Sequence, residues 1–473
     1  MDRKNTFQRT VFNIALPVTL QSLLQSSFGV IDQIMIGQLG SGSIAGIGLG
    51  AKFASLYSVV LAAVASAAGI MISQYIGKKD EEAVGRSFVL SLTAAVGLAA
   101  GFLALCMIVP EPIMAIYTRD EGARELAVKY LRILSVSFPP MAVSSLLTTM
   151  LRCMEAAALP LYANIFALAL NTGLNYLLIF GTWGFPRMGV EGAALASVIA
   201  QIISCLVILL FFLHNKKKRG MKRLLCRGGK HSQSMPMVKK RGVKRLVRRR
   251  ELPFSASGEF RRQYLGILCP LLVCEFLWSL GENVYTAIYG NIGTDACAAM
   301  TMTVPVQTIV IGALSGLAQA SGILIGKSLG AGQYEQAYAE SKKLMKYGLS
   351  FSVLLSLLLA IVSPLYVKIY PVEPQVQEIT ESLLLAIALI APVKVLNMIL
   401  GGGIIRSGGK TRYAMWIDLT GTWIFGVPLG LLAAFVWKLP VTPVYVILSL
   451  EECVRLGISL VVFRKKIWMG SIL

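Results

Sequence analysis

Acidic side chains inside apolar stretches are the residues of this sequence best suited to chemistry. Asp32 lies in the run VFNIALPVTLQSLLQSSFGVIDQIMIGQLG at residues 11–40, and Glu275, Glu282 and Glu451 lie in similar runs further along. A charge within a bilayer costs at least a few kcal/mol unless it is paired or used. We therefore interpret these carboxylates as candidate sites that bind and release a proton or a coupling cation.

Amide and hydroxyl side chains accompany Asp32. Asn171 and Asn175 are four residues apart in NTGLNYLLIFG and therefore share one face of a helix. Ser197 follows in GVEGAALASVIAQ, whose small residues allow close packing of helices. An asparagine pair alone is more typical of a helix–helix contact. With Asp32 on a neighbouring helix, we predict a cation or proton site.

Nine ionisable residues are assigned to the predicted membrane spans rather than to their ends, and six of the nine are acidic. The nine are Asp32, Lys52, Glu275, Glu282, Lys394, Asp418, Glu451, Glu452 and Arg455. Such groups face a bundle interior or a wet cavity, because lipid offers no hydrogen bonds. Lys394 could form an ion pair with Glu275 or Glu451, and Lys52 could form one with Asp32. The alternative is that these groups line a binding cavity.

The elements that must position these residues are membrane helices. The chain has 473 residues, of which 55% are hydrophobic and 15% charged, whereas soluble domains have about 25% charged residues. The first apolar segment is predicted to be a retained helix rather than a signal peptide. Twelve segments can each cross about 30 Å as a helix. They are residues 11–36, 44–73, 87–109, 126–150, 160–181, 189–213, 263–289, 297–326, 345–367, 379–404, 412–436 and 441–463.

The sequence is internally duplicated. A gapless shift of 253 positions places Pro17 on Pro270 and Gly77 on Gly330, and further identities extend over more than 100 residues. Six helices per repeat is an even number, so both repeats enter the membrane from the same side. They are therefore related by an axis along the membrane normal.

Four prolines within the spans are candidate hinges, because proline removes a helix hydrogen bond and kinks the axis. They are Pro17, Pro139, Pro270 and Pro392. A static kink is the alternative interpretation of each.

The net charge of +21 is concentrated in one connector. Residues 215–262 hold 18 Lys and Arg against 2 Glu and supply +16 of that charge. A basic connector favours an anionic inner membrane leaflet, rather than nucleic acid, as its partner. The other loops on the connector's side carry 17 basic residues, against 7 on the opposite side. The positive-inside rule therefore predicts that both termini are cytoplasmic. The membrane is expected to be the cell (plasma or inner) membrane.

A metal site or an organic cofactor is not expected. The eight cysteines form no C-x-x-C pair, and the only two histidines, His214 and His231, flank or lie in the basic connector.

Six motifs in order make the chain resemble the multidrug and toxic compound extrusion (MATE) family over nearly its whole length. They are ALP…Q…VIDQIMIGQLG at 15–40, GIMISQYIGKKD at 69–80, NTGLNYLLIFG…GVEGAALAS at 171–197, GENVYTAIYGNIG at 281–293, GILIGKSLGAG at 322–332 and RSGGKTR at 406–412. The order of the motifs, the duplication and the helix count together are specific.

The resemblance implies an all-α membrane protein in which two six-helix lobes form a V around a central cavity. We expect lobes at 1–213 and 263–473, with a linker at 214–262. The resemblance also implies export driven by proton or sodium entry, with the first-lobe aspartate at Asp32. The family often has Asn-x-x-x-Asp on helix 5, where this chain has Asn171 and Asn175. Acids of the second lobe, used by some members, would be Glu275 or Glu282.

The predicted substrate is an amphipathic organic cation, because acids outnumber bases in the spans and aromatic faces attract cations. Expected cavity residues are Gln25, Trp278, Tyr285, Lys394 and Glu451. We expect a monomer and not an enzyme. A flippase for a lipid-linked saccharide is the main alternative, and a membrane enzyme and a channel are the others.

Overall fold

The computed structural model describes residues 3–227, 258–368 and 372–470, and this part of the chain folds into helices without a strand. The N-terminal part contains α1 (Arg3–Gly37), α2 (Ser41–Lys78), α3 (Glu81–Ile108), α4 (Pro110–Tyr117), α5 (Glu121–Ser135), α6 (Phe138–Cys153), α7 (Ala158–Phe180) and α8 (Gly189–Arg227). The C-terminal part contains α9 (Gly258–Ile292), α10 (Thr294–Gly330), α11 (Tyr334–Val367), α12 (Pro374–Ile405), α13 (Thr411–Val436) and α14 (Val441–Arg464).

These helices account for the twelve predicted spans. Ten of the described helices are long and apolar enough to cross a membrane alone, and α5 and α6 together supply an eleventh span. The twelfth is α14, which is less apolar because it carries Glu451, Glu452 and Arg455. The predicted all-helical membrane fold is confirmed.

The predicted span at 126–150 is not one straight helix. Helices α5 and α6 meet at a bend of 49°, and α6 begins at Phe138, directly before Pro139 and Pro140. Proline lacks the N–H that continues a helix and restricts the preceding residue, so the chain bends at the candidate hinge Pro139. Pro17 and Pro270 lie within the uninterrupted helices α1 and α9.

The remaining candidate hinge, Pro392, lies in α12 shortly before a π-helical stretch at Met398–Ile405. The stretch contains three consecutive glycines. A Cβ on Gly403 would lie 2.7 Å from Ala318 O of α10. The widened turn and the glycine together allow α12 to pack directly on α10.

The predicted N-terminal lobe corresponds to helices α1–α8 and the predicted C-terminal lobe to α9–α14. Helix α8 continues to Arg227, past the predicted lobe boundary at residue 213. Residues 228–257, which contain most of the predicted basic linker, lie outside the described part of the chain.

Two glycine contacts between α2 and α10 are related by the internal repeat. The shift of 253 positions exchanges Gly77 with Gly330 and Gln74 with Lys327. A Cβ on Gly77 would lie 2.1 Å from Lys327 O, and a Cβ on Gly330 would lie 2.0 Å from Gln74 O. The ends of α2 and α10 thus make the same backbone contact in both directions, as a pseudo-twofold axis between them requires.

The lobes are joined near the end that carries both termini. The joining contacts are Lys327–Glu155 at 2.6 Å, Gln74 Nε2 to Ser407 O at 2.6 Å, Thr19 Oγ1 to Ala313 O at 2.9 Å and Ser22–Ser315 at 3.0 Å. Beyond Ser22, towards the other end, Gln25 and Glu282 are exposed and Asp32 is partly exposed. In this conformation these joining contacts close the end with the termini.

Candidate functional site

Two asparagines of α7 hold Asp32 of α1 in the N-terminal lobe. Asn175 donates its Nδ2 to Asp32 Oδ1 at 2.9 Å. When the Asn171 amide is turned so that Nδ2 faces Asp32, it donates to Oδ2 at 3.1 Å and accepts from the Ser197 N–H at 3.3 Å. This orientation satisfies both polar atoms of Asn171. The structure therefore brings Asp32, Asn171, Asn175 and Ser197 together.

Close packing of α7 on α8 makes this arrangement possible. A Cβ on Gly192 would lie 2.6 Å from Leu178 O, so only glycine allows the two helices to approach this closely. Ala193 and Ala194 beside it are fully or nearly fully buried. The small residues predicted to allow packing thus carry Ser197 to the side of α7 that faces Asp32.

Asp32 has polar partners but, among the described residues, no salt bridge. None of their Lys or Arg side chains lies within 4 Å of its carboxylate. The alternative in which Lys52 forms an ion pair with Asp32 is therefore not realised in this conformation, and Lys52 is exposed. The buried Asn175 Oδ1 has no hydrogen-bond partner among the described side chains. A carboxylate beside a spare carbonyl oxygen can accept a proton or contribute oxygen ligands to a small cation.

The acids of the C-terminal lobe are in a different situation, because arginines bind them. Arg406 donates to Glu275 at 2.8 Å and to Asp418 at 3.4 Å. The same guanidinium donates to Cys274 Sγ at 3.0 Å. Glu275, predicted as a coupling residue, is therefore neutralised by a basic residue from the end of another helix.

A second arginine extends this network along α14. Arg455 binds Asp418, and it lies 3.9 Å from Glu451 and 3.6 Å from Glu452. Glu451 also accepts a hydrogen bond from Tyr285 of α9. The network therefore ties α9, α13 and α14 together with charged hydrogen bonds.

One assignment among these charges needs correction, and one of the two alternatives for Lys394 is not realised. Lys394 does not pair with Glu275 or Glu451, because the two arginines occupy those carboxylates. Arg406 was assigned to the loops on the side of the connector, whereas its guanidinium points inwards, with its side chain 16% exposed. Adding Arg406 to the nine residues assigned to the spans gives four bases against six acids. The Arg-Ser-Gly-Gly turn after α12 was the signal in the sequence that could have drawn attention to Arg406. A turn does not show whether the arginine side chain points inwards or outwards.

The predicted cavity residues fall into two groups. Gln25 and Trp278 are exposed, as is the predicted coupling residue Glu282. Tyr285 and Glu451 are buried, at 8% and 7% exposure, and bind each other. Lys394, the fifth cavity residue, is partly buried in the C-terminal lobe.

A family model matches the chain twice. The family is described as MatE, and the matched residues are 17–177 and 270–432. The two matches begin at Pro17 and Pro270, 253 positions apart, as the internal repeat predicts.

Relatives and solved structures match nearly the whole chain. "Uncharacterized transporter YisQ" of Bacillus subtilis is 21% identical and covers 97% of this chain and 95% of its own length. "Probable multidrug resistance protein NorM" of Thermotoga maritima is 23% identical and covers 98% and 93%. Two solved structures share the fold with TM-scores of 0.82, each covering 98% of this chain and 96% of its own. One is MATE in complex with MaL6, at 17% identity, and the other is an outward-facing multidrug resistance MATE family transporter, at 16%.

Proposed function

The chain belongs to the MatE family of multi-pass membrane transporters, and from this premise we propose that it exports amphipathic organic cations in exchange for protons or sodium ions. The names of several relatives, probable multidrug resistance proteins, support the cargo class. The excess of acids over bases among the membrane helices supports a cationic cargo, since a cation can enter without a counter-ion.

The observation that carries the proposal is the site at Asp32. It is a partly buried carboxylate on a membrane helix with amide partners and no basic partner among the described residues. The acids Glu275, Asp418 and Glu451 are bound by arginines instead. We therefore assign ion coupling to the N-terminal lobe and a structural role to the charged network of the C-terminal lobe.

Coupling follows from the hydrogen bonds of Asp32. A carboxylate accepts from both Asn171 and Asn175, whereas a protonated carboxyl must use one oxygen as a donor. Protonation or cation binding therefore changes how α1 is held against α7. Cargo and ion can then bias the same equilibrium between lobe arrangements, which is sufficient for exchange.

We also propose that the protein acts as a monomer in the cell membrane with both termini and the basic connector in the cytoplasm. On this orientation the closed end of the structure faces the cytoplasm. A flippase for lipid-linked saccharides is less favoured, because the charged residues assigned to the interior of the spans, with Arg406 included, are six acids against four bases.

The test is transport of ethidium into or out of proteoliposomes under proton and sodium gradients imposed separately. Asp32→Asn keeps the size of the side chain but cannot titrate, so we expect normal assembly and loss of gradient-driven transport. Asp120→Asn is the matched control, since Asp120 only caps α5 and asparagine caps a helix equally well. Wild-type rates from Asp32→Asn would contradict the assignment.

A further inference from the structure

The RSGGKTR motif at residues 406–412 lies outside the site at Asp32 and leads from α12 into α13. One of its backbone carbonyls joins the lobes, because Ser407 O accepts a hydrogen bond from Gln74 Nε2 of α2 at 2.6 Å. Both residues are buried, at 1% and 0% exposure. The position of this turn therefore decides whether the contact between the lobes can form.

Residues 465–470, which follow α14, pack directly against the turn. A Cβ on Gly408 would overlap Trp468 O, so only glycine allows the segment to approach here. A Cβ on Gly470 would lie 3.2 Å from Gly408 O. The backbone of the C-terminal segment and the backbone of the turn are thus in contact, one residue away from the carbonyl that binds Gln74.

Trp468 anchors the segment to the C-terminal lobe. Its side chain is fully buried, and Nε1 donates to Phe463 O of α14 at 3.3 Å. The indole stacks on the Phe463 ring, with centroids 5.6 Å apart and 9° between the planes. Phe463 in turn stacks on Tyr338 of α11 at 4.9 Å. Since burial of a large aromatic side chain contributes strongly to packing, this anchor fixes where the segment meets the turn.

We propose that Trp468 positions the 406–412 turn for the contact between the lobes and thereby favours the closed arrangement. Without the indole, the segment loses its buried anchor, and the turn loses the backbone that packs on Gly408. Ser407 O is then no longer held opposite Gln74. Trp468 is a positioning residue for closure, and this role is independent of the cargo and of the coupling ion.

The effect falls on one conformation only. The contacts of Trp468 with Phe463 and Gly408 lie within the C-terminal lobe, so they do not depend on how the lobes are arranged. The bond from Gln74 to Ser407 O exists only when the lobes meet at this end. A loosened turn must be ordered before that bond can form, and ordering a backbone costs conformational entropy. The closed arrangement alone bears this cost, so the equilibrium shifts towards separated lobes.

Hydrogen–deuterium exchange with mass spectrometry on the full chain in nanodiscs tests this role in the lobe that does not contain Trp468. The readouts are residues 70–80, which include Gln74, and residues 150–160, which include the Lys327 partner Glu155. We expect Trp468→Ala to speed exchange in both by about fivefold or more.

Two variants serve as comparisons for Trp468→Ala. Trp468→Phe keeps an aromatic ring to stack on Phe463 and should remain close to wild type. Trp437→Ala removes an exposed tryptophan directly after α13 and should leave exchange at residues 70–80 and 150–160 unchanged. Trp468→Leu keeps an apolar side chain at the buried position and replaces the alanine variant if that variant does not assemble.

A double substitution tests whether Trp468 acts through the contact between the lobes. Gln74→Leu keeps the bulk of the side chain without its donor and should speed exchange at residues 150–160. If Trp468 acts through Ser407, adding Trp468→Ala should not exceed the larger of the two single effects.

Faster exchange confined to α11, α12, α14 and residues 465–470 would overturn the proposal, because Trp468 would then stabilise only its own lobe. Single effects of Gln74→Leu and Trp468→Ala that multiply in the double variant would also contradict it, since Trp468 would then act by another route. The same holds if Trp437→Ala speeds exchange as much as Trp468→Ala.

Discussion

Adding one methyl group at Gly77 should force apart the closed end of the transporter. A Cβ on Gly77 would lie 2.1 Å from Lys327 O, whereas ordinary contact begins at 3.4 Å. The obstacle is backbone rather than a flexible side chain, so α2 and α10 must separate by about 1.3 Å. Gly77→Ala therefore penalises the conformation described above and not one in which these helix ends are apart.

The size of the effect follows from two terms. Overpacking by a methyl group typically costs about 1–3 kcal/mol. Alanine also favours the helix by about 1 kcal/mol, but α2 is helical in both conformations, so this gain cancels. A difference of 1–3 kcal/mol shifts the conformational equilibrium about 5- to 150-fold.

Hydrogen–deuterium exchange with mass spectrometry measures this shift in the conformational equilibrium without an attached dye or spin label. In Gly77→Ala the peptides covering the ends of α2 and α10, residues 70–80 and 323–333, should exchange faster, with the rest of both lobes unchanged. Gly330→Ala should behave alike, because its Cβ would lie 2.0 Å from Gln74 O. The two effects should not add, since the sites are in contact.

Gly85→Ala on α3 is the matched control, because a Cβ there meets nothing within 4 Å. It should leave exchange at both helix ends as in wild type. Unchanged exchange in Gly77→Ala and Gly330→Ala would refute the reasoning, as would equal acceleration in Gly85→Ala.

Two further substitutions test the division of roles between the lobes. Arg455→Met leaves Asp418 and Glu451 without their shared cation, and breaking a buried pair in this way should destabilise the protein by about 3–5 kcal/mol, measured as a lower thermal unfolding temperature. Asn175→Asp adds a second acid beside Asp32 and should increase the dependence of transport on sodium, measured with sodium and proton gradients applied separately.

The control for Arg455→Met is a substitution of another arginine in the same helix. Arg464→Met removes an exposed arginine at the end of the same helix, α14, and should leave the unfolding temperature nearly unchanged. If Arg455→Met is as stable as this control, the network is not structural. If Asn175→Asp transports with an unaltered sodium response, the first lobe is not a one-acid version of a two-acid cation site.

The N-terminal site was predictable because its signals are local. Asn171 and Asn175 share a helix face by their spacing alone, and an acid in an apolar run marks Asp32 wherever its helix packs. Sequence spacing did not determine which further groups complete the site. The close approach of α8 at Gly192, which brings Ser197 alongside, depends on packing between helices.

The C-terminal site was not predictable in the same way. Arg406 and Glu275 are 131 residues apart, and Arg455 and Asp418 are 37 apart. Hydropathy and spacing place each charge at a depth, but they do not say which way a side chain points or which of several acids it meets. The sequence therefore left the surroundings of Lys394 open between an ion pair and a cavity, and Arg406 was assigned to the loops.

Composition, periodicity and the 253-residue register are properties of the chain itself, and they determined the twelve helices, the duplication and the acid on the first helix. Only the tertiary structure decided the bend between α5 and α6, the pairing of the C-terminal acids and the end at which the lobes close. The physical reason is the separation in sequence between the residues that interact. Helix formation and membrane insertion depend on neighbours within a segment, whereas ion pairs and backbone contacts such as Gly77 on Lys327 require helices distant in sequence to lie within a few ångströms.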